Sequence, residues 1–291
     1  MKTFDEIKQA FLKRFRKLVV YTDYYDKANK TENVDELLMV IKNNMKWFID
    51  TKIIDTTFLD NMFGTEMLVK NHIYTFGKHS LKSQDDPFDI YILGNSSVDV
   101  DTWDDSRVGI SLWDNSQAEV NAFDSSHPKI SVHGNASANI ITSMRSSADI
   151  DTYDNSSVKI SAWLKSSVTI NTFGDSRVNV NSWDESLVDA STFASSITII
   201  KTLDHSSVDV RTRNKSKVRF KTLNNSRGSV NVGDTSSVYV ETSGNSFVDA
   251  ATHGDSSKLD IHVNSQNSIV LLRNKREIHM KKDAFKIVNR K

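Results

Sequence analysis

Eight aromatic residues recur at multiples of ten through the middle of this chain: Trp103, Trp113, Phe123, Tyr153, Trp163, Phe173, Trp183 and Phe193. A row of exposed rings can stack sugars, or bury itself against a protein partner or a second copy. Rings at a fixed spacing can also stack on one another. A second set is cationic: Lys201, Arg211, Arg213, Lys215, Lys217, Arg219, Lys221 and Arg227. Such a cluster suits an anionic glycan or nucleic acid. It equally suits a solvated face whose like charges discourage aggregation. Aromatics do not interleave with these cations, so single-strand stacking is not indicated. Residues 95–124 are acidic instead, with Asp99, Asp101, Asp104, Asp105, Asp114, Glu119 and Asp124 against Arg107. The two ends of the segment therefore carry opposite charge, and electrostatic assembly of one copy with another is an option.

Other chemistries find less support. Calcium needs about six to eight converging oxygens, whereas the recurrent aspartates alternate with Gly, Asn, Leu and Met at one turn position. They read as turn residues. His127, His133, His205, His253 and His262 are never paired at metal-ligand spacing. No phosphate-cradling glycine loop, nucleophile elbow or HExxH is present. The expectation is a protein that is not an enzyme, with no catalytic residue, metal or cofactor.

These side chains sit on a ten-residue repeat. With Asn95 as position one, units such as NSSVDVDTWD, NSSVKISAWL and TSSVYVETSG follow without insertion or deletion to about Ser257. A fixed period marks stacked supersecondary units. Position two is serine in sixteen of seventeen units, Ala136 being the exception. Position six is Val or Ile in thirteen units, the others holding Ala190, Phe220, Ala250 and Asp260. Position four is usually valine and position eight is threonine in ten units, while five and seven are mostly polar or charged. This period-two alternation predicts one short strand per unit, with four, six and eight inward. Positions ten and one favour Asp, Asn and Gly, as turns do. The serine is small enough to turn its hydroxyl to a corner backbone group. Position nine, which holds the aromatics, falls at the strand end and faces out.

Ten residues cannot wrap a core, so two units per coil are expected: two parallel sheets across a thin core of Val, Ile and Thr. At a strand spacing of about 4.8 Å, eight or so coils give a rod roughly 40 Å long. A three-sided coil or an intertwined trimer are the other geometries. Threonine ladders on flat solenoids also bind ice, but here the threonine at position eight shares the inward parity of the valines.

Residues 1–86 read as a helical capping or docking region, 87–257 as the solenoid, and 258–291 as a C-terminal cap with a basic tail. Phe4, Ile7, Phe11, Phe15 and Leu18 form one apolar stripe. Thr31 is the expected N-cap of a second helix marked by Leu37, Leu38, Ile41, Met45 and Phe48. Shorter helices at 56–62 and 65–72 break at Gly64, and Ser83–Pro87 is a polar linker. Trp47, Phe58 and Phe63 are expected in the helical core. At Lys258 the alternation slips by one residue, and Ser268–Leu272 reads as the last strand.

The chain is formally neutral and has no cysteine, so charge does not select a partner class and disulfides are excluded. No apolar run reaches the roughly 18 residues of a membrane span, and none near Met1 forms a signal-peptide core. Synthesis in a cytoplasm is expected, with assembly into a virion as one destination.

The SSVxVxTxx units resemble the serine–valine decapeptide repeats of solenoid proteins from gut Bacteroidales and their phages. The segment Trp47-Phe48, Ile53-Ile54, Phe58-Leu59, Phe63-Gly64, Leu68, Asn71-His72-Ile73-Tyr74 is similar to the short helical domain that precedes those repeats. The resemblance implies a mainly β parallel solenoid with a small α-helical N-terminal domain. It carries over no catalytic motif. The function expected is a structural or adhesive rod, a rigid spacer or assembly component that engages a protein partner or itself. The alternative is a module binding anionic glycan or nucleic acid through the aromatic ridge or the basic set. A carbohydrate-active enzyme or an ice-binding protein ranks below both.

Overall fold

In the computed structural model, residues 2–15, 23–84, 88–253, 256–265, 267–273, 278–281 and 286–289 are described. The architecture is a two-sided parallel β-solenoid with a helical region at its N-terminal end. One sheet has twelve strands and the other eleven, and successive strands alternate between the sheets. The coil is therefore two units. Ser157–Ala162 pairs in register with Arg177–Ser182, so Val158 sits beside Val178 and Ile160 beside Val180. Among the described residues the strands make two sheets and no third side.

Parity behaves as the alternation predicts. Along Arg177–Ser182 the residues alternate exposed and buried, with Val178, Val180 and Ser182 inward. Burying a Val or Ile contributes about 1.5–3 kcal/mol, and every coil repeats that gain. The hydroxyl positions form a second, polar layer at the corners. Thr152 Oγ1 lies 3.0 Å from Ser176 Oγ, and Thr172 Oγ1 lies 3.0 Å from Ser196 Oγ. Corner serines also donate to main-chain carbonyls: Ser96 Oγ to Leu93 O at 2.7 Å, Ser116 Oγ to Ile92 O at 3.1 Å. Many of these hydroxyls satisfy one another or a backbone group where water is excluded, although those of Ser106, Ser156, Ser182, Ser186 and Thr242 have no partner among the described residues.

Position ten takes a left-handed backbone at the turns, with φ of 61° at Asp114 and 57° at Asp154. Asp, Asn and Gly tolerate that region.

Thr198 breaks the core pattern. It stands at position four between Val178 and Val218, and its buried hydroxyl has no partner. A buried unsatisfied hydroxyl costs about 1–3 kcal/mol. Thr198→Val is expected to raise the thermal midpoint, with a gain of about 1 kcal/mol. A melt unchanged or lowered by the substitution contradicts this.

The strand ladder extends past both limits read from the repeat. Ile73–Tyr74 and Lys78–Gln84 already pair with Phe88–Ile92 and Ser97–Trp103. These early strands lack the SSV signature, yet Leu81 packs on the core and Ser83 is buried. Downstream, Ile269–Arg273 is followed by two further paired strands, Ile278–Lys281 and Lys286–Asn289, so 268–272 is not the last strand. The slip at Lys258 is absorbed as one extra residue: Ser237 pairs with Lys258 rather than with residue 257.

The helices are α1 (Phe4–Phe15), α2 (Asp23–Asn29), α3 (Val34–Asn43), α4 (Met45–Asp50), α5 (Thr56–Phe63) and α6 (Thr65–Lys70). The apolar stripe buries Ile7, Phe11 and Phe15, while Leu18 and Pro87 lie outside the described residues. Phe11 meets Phe48 edge-on at 5.3 Å. Three details differ from the sequence reading. The polar stretch after residue 22 contains α2. The N-cap of α3 is Asn33, whose Oδ1 accepts from Glu36 N at 2.9 Å, while Thr31 Oγ1 donates to Ala28 O at 2.8 Å and closes α2. The second helix is two, divided at Asn44. Gly64, at φ 73°, separates α5 from α6 as expected. Phe58 and Phe63 are core residues, whereas Trp47 is half-buried at the edge of a groove.

The helical region both closes the end of the solenoid and runs along its side. Val69 packs on the solenoid core. The helical core also takes in Ile73, Tyr91, Leu93 and Trp113, the last three from the outer surface and corner of the twelve-stranded sheet.

Candidate binding surfaces on the rod

The eight position-nine aromatics do not make one ridge. Because successive units run on opposite sheets, successive position-nine residues fall at opposite corners. Trp113, Tyr153, Phe173 and Phe193 share one corner, and Trp103, Phe123, Trp163 and Trp183 the other. At the first corner Tyr153 stacks on Phe173 at 5.1 Å, and Phe173 on Phe193 at 5.0 Å. The gap between Trp113 and Tyr153 is filled by His133, stacked at 5.5 Å and 4.5 Å. At the second corner Trp103 stacks on Phe123 at 6.1 Å and Trp163 on Trp183 at 4.0 Å. Ser143 interrupts that ladder. The rings thus spend much of their surface on the coils above and below, and Trp163, at 38% exposed, is the most open of the eight. The position of His133 in its unit, nine, was the signal that it belongs to the ladder.

The first corner also meets the helices. A groove of about 650 Å³ runs between α3–α4 and the twelve-stranded sheet. Lys42, Lys46 and Trp47 line one side, and Asp89, Trp113 and Lys129 the other. Lys46 pairs with Asp50 at 2.7 Å and reaches over the Tyr153 ring at 6.0 Å. Trp113 is 5% exposed, and its indole N–H has no partner in the structure. Burial, reinforced by the nearby Lys46 ammonium, pushes His133 down to about 4. Burial, with Asp89 adding to it, pushes the Tyr91 phenol up to about 12. Both groups are therefore neutral across physiological pH, which suits rings packed against other rings.

The basic set divides in the same way. Lys201, Lys217, Arg219 and Lys221 face out from the eleven-stranded sheet. Arg211 and Arg227 belong to the twelve-stranded sheet, and Arg213 and Lys215 to a corner. Part of the charge is answered within the chain: Arg211 pairs with Asp189 at 3.2 Å, Lys221 with Glu241 at 2.7 Å, and Arg219 lies over Tyr239 at 5.3 Å. Lys201, Arg213, Lys215, Lys217 and Arg227 have no ion pair among the described residues. Lys201 and Lys221 are direct register neighbours, a like-charge pair that disfavours the sheet.

The turn aspartates act as backbone acceptors. Asp114 Oδ2 takes Gly94 N at 3.0 Å and Asp154 Oδ2 takes Gly134 N at 3.1 Å, each tying one corner to the previous coil. Asn115 and Asn135 reach one another similarly at 3.4 Å. Among the described residues, no group of three or more His, Asp or Glu side chains gathers as metal ligands would. His127 contacts Ser147 and lies 3.1 Å from Asp149 on an outer face. No described helix is long and apolar enough to cross a membrane. No family model, curated protein or solved structure matches the chain.

Proposed function

We propose that this protein is a non-enzymatic structural β-solenoid, a rigid spacer or assembly component whose helical region ties the rod to a larger structure. The observation that carries the reading is the unbroken ladder from residue 88 to 253, in which strands are joined by short corners alone. Corners of that size leave no room for the long loops that build catalytic clefts on such folds. A solenoid suits mechanical spacing, since each coil contacts only its neighbours and length scales with repeat number. The resemblance of the repeats points to a phage virion as the assembly, with the chain made in a cytoplasm and incorporated there.

Small-angle scattering of the full chain, paired with incubation on a panel of acidic and neutral polysaccharides, tests this. The expected particle is elongated, with a solenoid axis of roughly 50 Å for twelve stacked strands, and no new reducing ends appear. A collapsed or flexible profile, or release of reducing ends, overturns the reading.

A second reading, binding of an anionic polymer, draws on Lys201 and Lys221 standing side by side on an open face. It differs in expecting retention on heparin or DNA that falls steeply with salt.

A further inference from the structure

Among the described residues the helices pack against the twelve-stranded sheet, and the outward residues of the eleven-stranded sheet from Gln117 to Arg219 carry no helix. The outward charges of the eleven-stranded sheet follow an order. Lys78 and Lys82 come first, then Asp99, which pairs with Lys78 at 3.0 Å, and Asp101, then Glu119. Lys159 stands in the middle strand, Ser157–Ala162. Beyond it come Arg177, then Lys201, then Lys217, Arg219 and Lys221, then Glu241, and on the next strand Lys258 and Asp260. Counted from Ser157–Ala162, the strand with Asp99 and Asp101 is three strands toward one end, and that with Arg219 and Lys221 is three toward the other. Lys82 and Glu241 are each four strands away, again on opposite sides. Where two charges stand at mirrored places either side of that strand, their signs are opposite, while Lys78, Arg177 and Lys217 mirror the neutral Ser237, Ser137 and Ser97, and Glu119 and Lys201 mirror Ile199 and Asn121.

A face with this property is complementary to itself. We propose that two copies pack face to face through the eleven-stranded sheets, antiparallel, about a two-fold axis running along Ser157–Ala162. That rotation keeps the strand direction and reverses the rod. It places Asp99 opposite Arg219, Asp101 opposite Lys221, and Lys82 opposite Glu241, each contact made twice as an isologous interface requires. The other in-plane axis, along the rod, lays acid on acid and base on base. Charge therefore selects the antiparallel pair. The axis strand presents Ser157, Lys159 and Ser161 outward, and Ile141 and Ile199 are exposed on the same face.

The size of the contact bounds its strength. Nine strands at about 4.8 Å span about 40 Å, and the outward residues of each strand span about 14 Å. That buries roughly 500–600 Å² per copy, the low end for a specific interface. The pair is consequently weak and salt-dependent. One contact opposes it: Lys159 meets its own symmetry mate on the axis.

This proposal rests on the assembly reading above, and its test is separable from it. Sedimentation or light scattering of the full chain is run over a concentration series at about 0.1 M and about 1 M salt, where screening lengths are about 10 Å and 3 Å. A concentration-dependent dimer at low salt is expected, dissociating at high salt. Asp99→Lys/Asp101→Lys and Arg219→Asp/Lys221→Asp are each expected to self-associate about a hundredfold more weakly, because like charges then face each other. An equimolar mixture of the two variants regains the dimer, since every pair is again opposite in sign. Lys159→Ser tightens the wild-type dimer, whereas loss of a cation weakens any anionic-polymer site. Circular dichroism checks that each variant keeps the fold. A wild-type chain monomeric at every concentration, a dimer indifferent to the swaps, or a mixture that stays monomeric overturns the pairing. A monomer that scatters as a rod does so while leaving the spacer reading intact.

Discussion

Acidification from about pH 7 to about pH 4 is expected to destabilise the protein through His133, and His133→Phe is expected to remove that component. The sign follows from linkage. Burial holds the folded imidazole at about 4, below its ordinary value of 6.5. Above pH 6.5 both folded and unfolded chains carry a neutral ring, and its contribution is fully present. As pH falls from 6.5 toward 4 the unfolded chain takes a proton that the folded chain refuses, so stability declines across that window. Below about 4 both forms are charged and the decline stops. At about 1.4 kcal/mol per unit the shift corresponds to roughly 3 kcal/mol at most. Water entering the adjoining groove reduces this to on the order of 2 kcal/mol. His72, lowered by burial and by Lys42, acts in the same direction and is present in both proteins. The measurement is the difference in unfolding free energy between wild type and His133→Phe across the window. Phe fits because Phe173 and Phe193 occupy the same corner two and three coils on. Parallel pH profiles for the two proteins contradict the account.

The second large effect concerns Phe220 and Gly228. Phe220 takes position six, where its neighbours in the column are Ile200 and Val240. Gly228 takes position four on the facing sheet, between Val208 and Val248. A Cβ at Gly228 would overlap the Phe220 ring. The large residue and the missing side chain share one volume across the thin core. Gly228→Val alone is therefore expected to cost about 3 kcal/mol, the upper range for overpacking. Phe220→Val alone leaves a cavity and costs about 2–3 kcal/mol. The double variant puts Val at both positions, as Val240 and Val248 stand one coil on, and is expected within about 1 kcal/mol of wild type. Chemical denaturation of the four proteins gives the coupling energy directly. Additive losses in the double variant would show that the two side chains do not share space.

Much of this was legible in the chain, and the reason is physical. A strand's side chains alternate whatever its neighbours do, so Val178, Val180 and their equivalents declared the inward face by themselves. Ser96 and its repeats declared the corner, because the site takes only a small side chain, Ala136 included, and a hydroxyl there can also reach a buried carbonyl as Ser96 and Ser116 do. The step of twenty residues per coil followed from core volume, and the slip at Lys258 was visible as a break in parity. The helical stripe of Phe4, Ile7, Phe11 and Phe15 was local in the same sense.

What tertiary structure alone decided is everything that depends on coil closure. A ten-residue repeat read as a line puts Trp103 beside Trp113 and Lys201 beside Arg211. Folding the line into a two-sided coil sends alternate units to opposite sheets, and both sets split. The same closure makes residues twenty apart neighbours. It thereby assembles His133 into a ladder, sets Lys201 against Lys221, and lets Gly228 accommodate Phe220. The early strands at 73–84 lacked the repeat signature, because a backbone ladder can be continued by any chain that buries Leu81 and Ser83. Docking of the helices on Tyr91, Leu93 and Trp113 joins apolar side chains distant in sequence, and no local pattern encodes which surface of the rod they cover.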